Sequence, residues 1–187
     1  MRKKRKYMGN TGVIDQILNR DNQVLGFARK RNHIVYGARS IQAQNTLFAR
    51  DTKDWDVLSD TPKKCARDLK NKLNKKSQSD YFYKKPAKHK GTWKVRGKGF
   101  DGIIGTDDDE DVADFSKKER GTPYITKNGV KFRHLKEEIK AKKKSVADPE
   151  FKFRHEKDKD DLKRITGFLR VKKILKGLEF EWKTLTI

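Results

Sequence analysis

The chain has 187 residues, of which 40% are charged and 33% are hydrophobic, and its formal net charge is +22. This length and apolar content allow one domain with a modest core and exclude two separate large cores. Ten Phe, five Tyr and three Trp lie in periodic segments, which excludes a wholly disordered chain. The excess of Lys and Arg favours a polyanionic partner, because phosphates bound by such a surface release counterions. The alternative is a charged surface that serves only solubility or adaptation to heat or salt.

The single cysteine, Cys65, excludes an internal disulfide and a Cys-rich zinc site, and it favours a reducing compartment such as the cytoplasm. No apolar run approaches the ~20 residues that span a membrane. The basic start lacks a following apolar stretch, so we do not expect it to be a signal peptide. We expect residues 1–10 to be a flexible arm for nucleic acid, with a nuclear-targeting signal or a frayed end as alternatives. The arm's candidate nucleic-acid-binding residues are Arg2, Lys3, Lys4 and Arg5.

The first predicted elements are a helix, a short strand and a second helix. Apolar residues recur at helical spacing from Val13 to Ala28, after a helix start near Asn10. Residues 34–36 predict a short strand that ends at Gly37, and a stretch of helical character follows. We expect the first helix to pack on the sheet without a role in chemistry.

The next predicted strand covers residues 54–58 and carries two acidic side chains. Alternation along a strand would place Asp54 and Asp56 on one face, with Trp55 and Val57 facing the core. Two carboxylates this close repel each other, and a divalent cation is the usual reason to tolerate them.

A further helix is predicted from Pro62, because Asp60 and Thr61 provide a cap and proline suits the first helical position. Its predicted buried stripe consists of Cys65, Ala66, Leu69 and Leu73. Cys65 is therefore expected to be a packing residue and not a nucleophile.

Two strands are predicted at residues 81–83 and 92–96, with a basic loop between them. This loop combines positive charge with aromatic neighbours, which suits a phosphate backbone and an unstacked base. His89 is expected to be a solvated loop residue. The candidate nucleic-acid-binding residues of the loop are Lys84, Lys85, Lys88 and Lys90.

The acidic run 107–111 has no ligand spacing for a calcium loop and is predicted to be a solvated turn. A short apolar strand with Asp114 follows it. Asn128-Gly129 predicts a tight hairpin turn, and a basic helix should begin near Leu135. The end of the chain predicts another helix and then a closing strand over residues 180–184.

A glycine turn followed by Asp-x-Asp on a strand resembles the signature of the nucleotidyltransferase superfamily. The resemblance implies that Asp54, Asp56 and a third carboxylate bind two Mg²⁺ ions, or Mn²⁺ in their place. Asp114 is our candidate for the third carboxylate, and Asp111 is the alternative. The triphosphate would be held by the glycine turn and the first helical amides. The residues of this turn are Gly37, Ala38, Arg39 and Ser40, where Ala38 replaces the small Gly or Ser usual in the superfamily.

The segment from Leu135 to Ile165 is similar to the C-terminal part of abortive-infection, toxin-type nucleotidyltransferases. The pattern consists of a helix that carries a lysine, followed by an Arg-x-x-Lys-Asp-x-x-Asp-Leu motif. In this chain the motif is matched by Arg154, Lys157, Asp158, Asp161 and Leu162. The helical lysine is Lys142 or Lys143, and with Arg154 and Lys157 it would bring positive charge to the nucleotide. The alternative is an exposed helix with ion pairs between residues four apart.

These resemblances imply an α+β fold, with a small mixed β-sheet and helices packed mainly on one face. We expect one domain over residues 11–187, with a core at 33–130 and a C-terminal helical part at 131–187. The implied activity moves a nucleoside monophosphate from a nucleoside triphosphate to a hydroxyl, with tRNA-like RNA favoured over a protein acceptor. A toxin-like protein of a mobile element or virus, with an antitoxin partner or a place in a virion, fits the same resemblance. The rival hypothesis is a non-catalytic, basic nucleic-acid-binding or virion-packaged protein on the same fold.

Overall fold

The computed structural model describes residues 10–44 and 50–184, with side chains described for residues 20–44 and 50–176. Its described residues form five α-helices, one 3₁₀ helix and seven strands of a mixed sheet, which confirms the predicted α+β class. In chain order the elements are α1 (Asn10–Lys30), β1 (Ile34–Tyr36), α2 (Gly37–Gln44), β2 (Trp55–Ser59), α3 (Pro62–Ser77), β3 (Phe82–Pro86), β4 (Trp93–Gly97), β5 (Glu110–Lys117), β6 (Tyr124–Lys127), β7 (Val130–Arg133), α4 (Leu135–Ala147), the 3₁₀ helix (Pro149–Arg154) and α5 (His155–Thr184). Among these described helices, none is long and apolar enough to cross a membrane.

The chain divides into two compact units, and each is discontinuous in sequence. The first unit comprises Met1–His33 and Val57–Lys118, and the second comprises Ile34–Asp56 and Glu119–Ile187. The division cuts strand β2 after Asp56. The single domain over residues 11–187 stays a prediction.

The first unit is an antiparallel meander, β3-β4-β5, with α3 packed against all three strands. The predicted stripe of α3 is confirmed, because Cys65, Ala66, Leu69 and Leu73 are all buried. Phe115 of β5 is also buried, and its ring meets that of Phe27 edge-on at 6.0 Å between centroids. Proline occupies the first position of α3, as predicted, since its missing N–H costs nothing there.

The basic loop after β3 is shorter than predicted. Strand β3 continues to Pro86, so Lys84 pairs with Val95 and Lys85 with Lys94 on β4. Pro86 is tolerated because β3 lies at the edge of the sheet, where a missing backbone donor leaves no broken ladder. Of the four candidate lysines, Lys88 and Lys90 remain in the loop.

Only the first part of the acidic run is the predicted solvated turn, since Asp107 and Asp108 lie in an exposed turn, whereas Asp109 is buried and residues 110–111 begin β5. Asp109 is buried, and its Oδ2 accepts hydrogen bonds from the Tyr83 hydroxyl at 2.5 Å and the Gly105 amide at 2.7 Å. The Arg96 guanidinium lies 3.5 Å from the same oxygen. Tyr83 and Arg96 come from distant positions in the chain, which is why local composition does not reveal the burial of Asp109.

The second unit contains a hairpin, β6-β7, whose strand β7 pairs in parallel with β1. The predicted Asn-Gly turn is confirmed, since Asn128 and Gly129 both have positive φ, at 51° and 73°. Strand β7 leads directly into α4. The predicted closing strand at residues 180–184 is wrong, because α5 continues to Thr184. No strong turn signal precedes this apolar-polar alternation, so the helix simply continues.

We predict that Asp109→Ala lowers the free energy of unfolding by about 3 kcal/mol, because it leaves the Tyr83 hydroxyl without its buried acceptor and Arg96 with only the half-exposed Asp111 as a carboxylate partner. Urea unfolding measures the change. The matched control is Asp107→Ala, which removes an exposed carboxylate of the same acidic run and should cost about 0.5 kcal/mol or less. Equal losses in the two variants would contradict the role of Asp109.

Candidate active site

The predicted glycine turn directly follows β1 and forms the start of α2, in the second unit. Gly37 has a φ of +70°, which L side chains rarely adopt. A Cβ built on Gly37 would also collide with Oδ2 of Asp56. Glycine is therefore required both by the backbone and by the close approach of a carboxylate. The structure thus brings together the glycine and one of the aspartates that the sequence analysis singled out.

A buried glutamate holds this turn in place. The Gly37 N–H donates a hydrogen bond to Oε1 of Glu138 at 2.9 Å, and Glu138 is 0% exposed. Arg133 neutralises the carboxylate with two hydrogen bonds, at 2.9 Å from Nε and 2.6 Å from Nη2. The sequence analysis missed both residues. One sequence indication of burial existed for Glu138, which lies three residues after Leu135 and so on the same face of α4. None existed for Arg133.

The negative charge of Asp56 raises the pKa of two arginines, Arg133 and Arg154. Burial lowers the pKa of Arg133, but the hydrogen bond and charge of Glu138 outweigh it, and Tyr36 and Asp56 raise the pKa further. The pKa of Arg154 is raised in the same way, since Asp158 outweighs burial and Asp56 and Tyr36 add to the effect. The predicted nucleotide-binding residue Arg154 therefore lies within electrostatic range of Asp56.

The lysine of the C-terminal motif lies in a buried ionic cluster. The Lys142 ammonium contacts Asp158 at 3.0 Å and Asp161 at 2.7 Å, and all three side chains are buried. Asp158 also pairs with Arg154 at 2.9 Å, and Asp161 pairs with Arg50 at 3.0 Å. Three cations thus face two carboxylates, so the cluster keeps one net positive charge. Lys142 is the lysine that contacts the motif's aspartates.

The other predicted nucleotide-binding residues occupy varied surroundings. Ser40 is fully buried, and its hydroxyl donates to the Arg133 carbonyl at 2.7 Å. The guanidinium of Arg39 lies over the Trp55 ring, 4.5 Å from its centroid. Lys143 and Lys157 are exposed, and Ala38 is buried.

The predicted metal ligands belong to different parts of the structure. Asp56 lies on β2, and Asp54 is the residue directly before this strand. Oδ1 of Asp54 accepts a hydrogen bond from the Thr52 hydroxyl at 2.7 Å. Both aspartates are half-buried, and carboxylate oxygens are the donors that hard divalent cations prefer. Their donor chemistry thus fits Mg²⁺. Within residues 10–44 and 50–184, however, no group of three or more His, Cys, Asp or Glu is arranged to hold a metal ion.

Both candidates for the third carboxylate lie on β5, in the first unit. The Lys94 ammonium is 3.1 Å from Asp114 and 3.6 Å from Asp111. The shared cation does not favour one over the other, so both alternatives remain. The predicted arm residues Arg2, Lys3, Lys4 and Arg5 lie outside the described residues.

We predict that Gly37→Ala destabilises the protein by roughly 1–2 kcal/mol for the left-handed backbone and by about 1–3 kcal/mol more for the collision with Asp56. The control is Gly121→Ala, because Gly121 has a φ of +75° but a Cβ built on it would meet nothing within 4 Å. Urea unfolding measures the loss of unfolding free energy in both variants, and the difference between the two losses is the cost of the collision with Asp56. Equal costs would show that Asp56 does not press against the turn.

The ionic cluster predicts a pH dependence. Burial raises the pKa of Asp158, but Lys142, Ser145 and Arg154 lower it more, so its folded pKa lies below its usual value. The stability that this carboxylate contributes is therefore present above its unfolded pKa of about 3.9 and is lost as the pH falls through the folded pKa. We expect Asp158→Asn to cost about 3–5 kcal/mol at neutral pH, with a gap to the wild type that narrows below about pH 4.

Urea unfolding across this pH range tests the cluster. Asp160→Asn is the control, because Asp160 is a half-exposed neighbour paired with Arg164 and should change stability by about 0.5 kcal/mol or less at every pH. A gap between Asp158→Asn and the wild type that stays constant down to pH 2 would contradict the prediction.

Comparison with solved structures identifies the fold. The Megavirus polyadenylate synthase matches with a TM-score of 0.61 and 16% identity, over 88% of this chain and 38% of that one. JHP933 from Helicobacter pylori matches with a TM-score of 0.46 and 13% identity, over 79% and 64%. A candidate nucleotidyltransferase from H. pylori matches with 0.44 and 12%, over 73% and 61%. No protein-family model and no curated protein matches the chain. The chain thus spans 38% of the polyadenylate synthase's length and has a nucleotidyltransferase-type fold.

Proposed function

We propose that the protein is a metal-dependent nucleotidyltransferase that moves a nucleoside monophosphate from a nucleoside triphosphate to a hydroxyl of RNA. The observation that carries the proposal is the contact between the Gly37 turn and the Asp56 carboxylate. The fold that the chain shares with a polyadenylate synthase supports it. The net charge of +22 favours RNA over a protein as the acceptor.

On this proposal, Asp54 and Asp56 would hold Mg²⁺, and the third carboxylate remains the prediction from the sequence, Asp114 or Asp111. Bound Mg²⁺ neutralises the triphosphate and lowers the pKa of the attacking hydroxyl. The acceptor oxygen forms a bond to the α-phosphorus, and the bond from that phosphorus to the oxygen that bridges to the β-phosphate breaks. The β- and γ-phosphates leave together as pyrophosphate. The proton of the acceptor hydroxyl is released to solvent.

The remaining site residues bind and orient the triphosphate. Since Glu138 already accepts the Gly37 N–H, the amides of Ala38 and Arg39 in the first turn of α2 are the proposed phosphate donors. Arg154 contributes positive charge beside Asp56, and the exposed Lys143 and Lys157 add to it. Lys142 acts indirectly, because it fixes Asp158 and thereby Arg154.

We predict that Asp54→Asn/Asp56→Asn lowers transfer about 10³-fold, since loss of bound metal removes several kcal/mol of charge stabilisation. The assay incubates the purified chain with Mg²⁺, total RNA and each α-labelled nucleoside triphosphate in turn. Label in RNA from the wild type would also name the nucleotide.

The control is Asp51→Asn/Asp60→Asn, which removes two exposed carboxylates flanking the same segment and should leave transfer within about twofold of the wild type. The proposal fails if the wild type labels neither RNA nor protein with any nucleotide. If wild type and variant then bind RNA with the same salt dependence, the protein is a basic nucleic-acid-binding protein. Label found in protein alone would reject RNA as the acceptor.

A further inference from the structure

The first unit contains a cationic cavity that the proposed active site does not use. It has a volume of about 420 Å³ and lies where α3 begins, beside β3. Its lining residues are Thr61, Pro62, Lys63, Lys64, Arg67 and Lys84. Four of the six carry positive charge and none carries negative charge, so the cavity suits an anion.

An aromatic ring holds two of these cations close together. The ammonium groups of Lys63 and Lys84 lie 5.1 and 4.4 Å from the centroid of the Trp93 ring. The face of an indole attracts each ammonium, but the two like charges repel each other. Because the ring is already occupied by cations, we do not expect a base to stack on it.

The charge of the cavity is largely uncompensated. Among the described residues, Lys63, Lys64 and Lys84 form no ion pair with a carboxylate, and only Arg67 has one, with Asp68 at 3.5 Å. The first turn of α3 also lacks any acidic residue and instead carries Lys63 and Lys64. Cations at this end of a helix are unfavourable, because the helix dipole is positive there. This arrangement opposes the stability of the helix, and a bound polyanion would relieve it.

We propose that this cavity binds the sugar-phosphate backbone of single-stranded RNA. A polymer fits better than a lone anion, because the cations come from both α3 and β3, and further lysines, Lys88 and Lys90, lie in the loop that follows β3. Contacts of this kind are electrostatic and independent of sequence. The inference rests on the proposed function only in identifying the bound strand as the acceptor.

The test measures binding of a fluorescein-labelled 20-nucleotide oligouridine by fluorescence anisotropy between 50 and 200 mM KCl, without nucleotide or Mg²⁺. We expect Lys63→Gln/Lys64→Gln to bind about tenfold more weakly at 100 mM KCl and to lower the slope of log K against log salt by about 1.4, since each contact with a single strand contributes about 0.7. Lys84→Gln, on a different element, should lower the slope by about 0.7 on its own.

The matched control is Lys75→Gln/Lys76→Gln, which removes the same charge from the exposed opposite end of α3. It should leave binding within about twofold of the wild type. Thermal unfolding gives a second readout, because removal of Lys63 and Lys64 should raise the midpoint or leave it unchanged, whereas loss of Lys75 and Lys76 should lower it. Weaker RNA binding without loss of stability supports a binding site and excludes misfolding.

Equal loss of binding in the two double variants would overturn the proposal, because binding would then follow net charge and not this cavity. Absence of oligouridine binding by the wild type would overturn it as well. The assay requires no catalysis, so its outcome does not depend on the transferase proposal. Asp54→Asn/Asp56→Asn should retain oligouridine binding even when it has lost transfer.

Discussion

The second unit depends on one buried carboxylate, that of Glu138. A fully buried charge is tolerated only when it is paired and hydrogen-bonded, and Arg133 and the Gly37 amide supply these partners. Because Glu138 lies on α4 and Gly37 directly follows β1, their hydrogen bond ties the C-terminal helical part to the turn after β1. The positive φ of Gly37 and the approach of Asp56 both depend on where that turn lies. The candidate site is therefore positioned by residues remote in sequence, and not by the glycine turn alone.

The same rule of paired charges explains the ionic cluster of the C-terminal motif. Asp158 and Asp161 have no apolar role, yet they are buried, because Lys142, Arg154 and Arg50 surround them. Asp158 takes two of these cations and so fixes the guanidinium of Arg154 within range of Asp56. In a motif that could also describe an exposed charged helix, the two aspartates are instead buried. Charge patterns four residues apart cannot separate these cases, since burial is decided by the partner helix.

Local signals predicted much of the fold. The Asn128-Gly129 turn, the proline that begins α3 and the apolar stripe through Leu69 need only a few neighbouring residues, and each is confirmed. The errors at Asp109 and Lys84 have a common cause in long-range contacts. Asp109 is buried by Tyr83 and Arg96, and Lys84 joins a strand because β4 pairs with it. In the candidate site, the glycine and aspartates were visible in the sequence, whereas Glu138 and Arg133 were not, because charged residues are usually solvated.

The described basic residues include two groups whose charges have different physical meaning. In the second unit, Arg133, Arg154 and Lys142 are each held against a carboxylate, so they fix structure and polarise a site. In the first unit, Lys63, Lys64 and Lys84 border a cavity where no carboxylate compensates them, within the part of the chain that the structure describes. Compensated cations change little when salt is added, but uncompensated ones act through counterion release and are strongly salt-dependent. The net charge of +22 cannot distinguish the two groups, because only the contacts of each cation show whether its charge remains available to a polyanion.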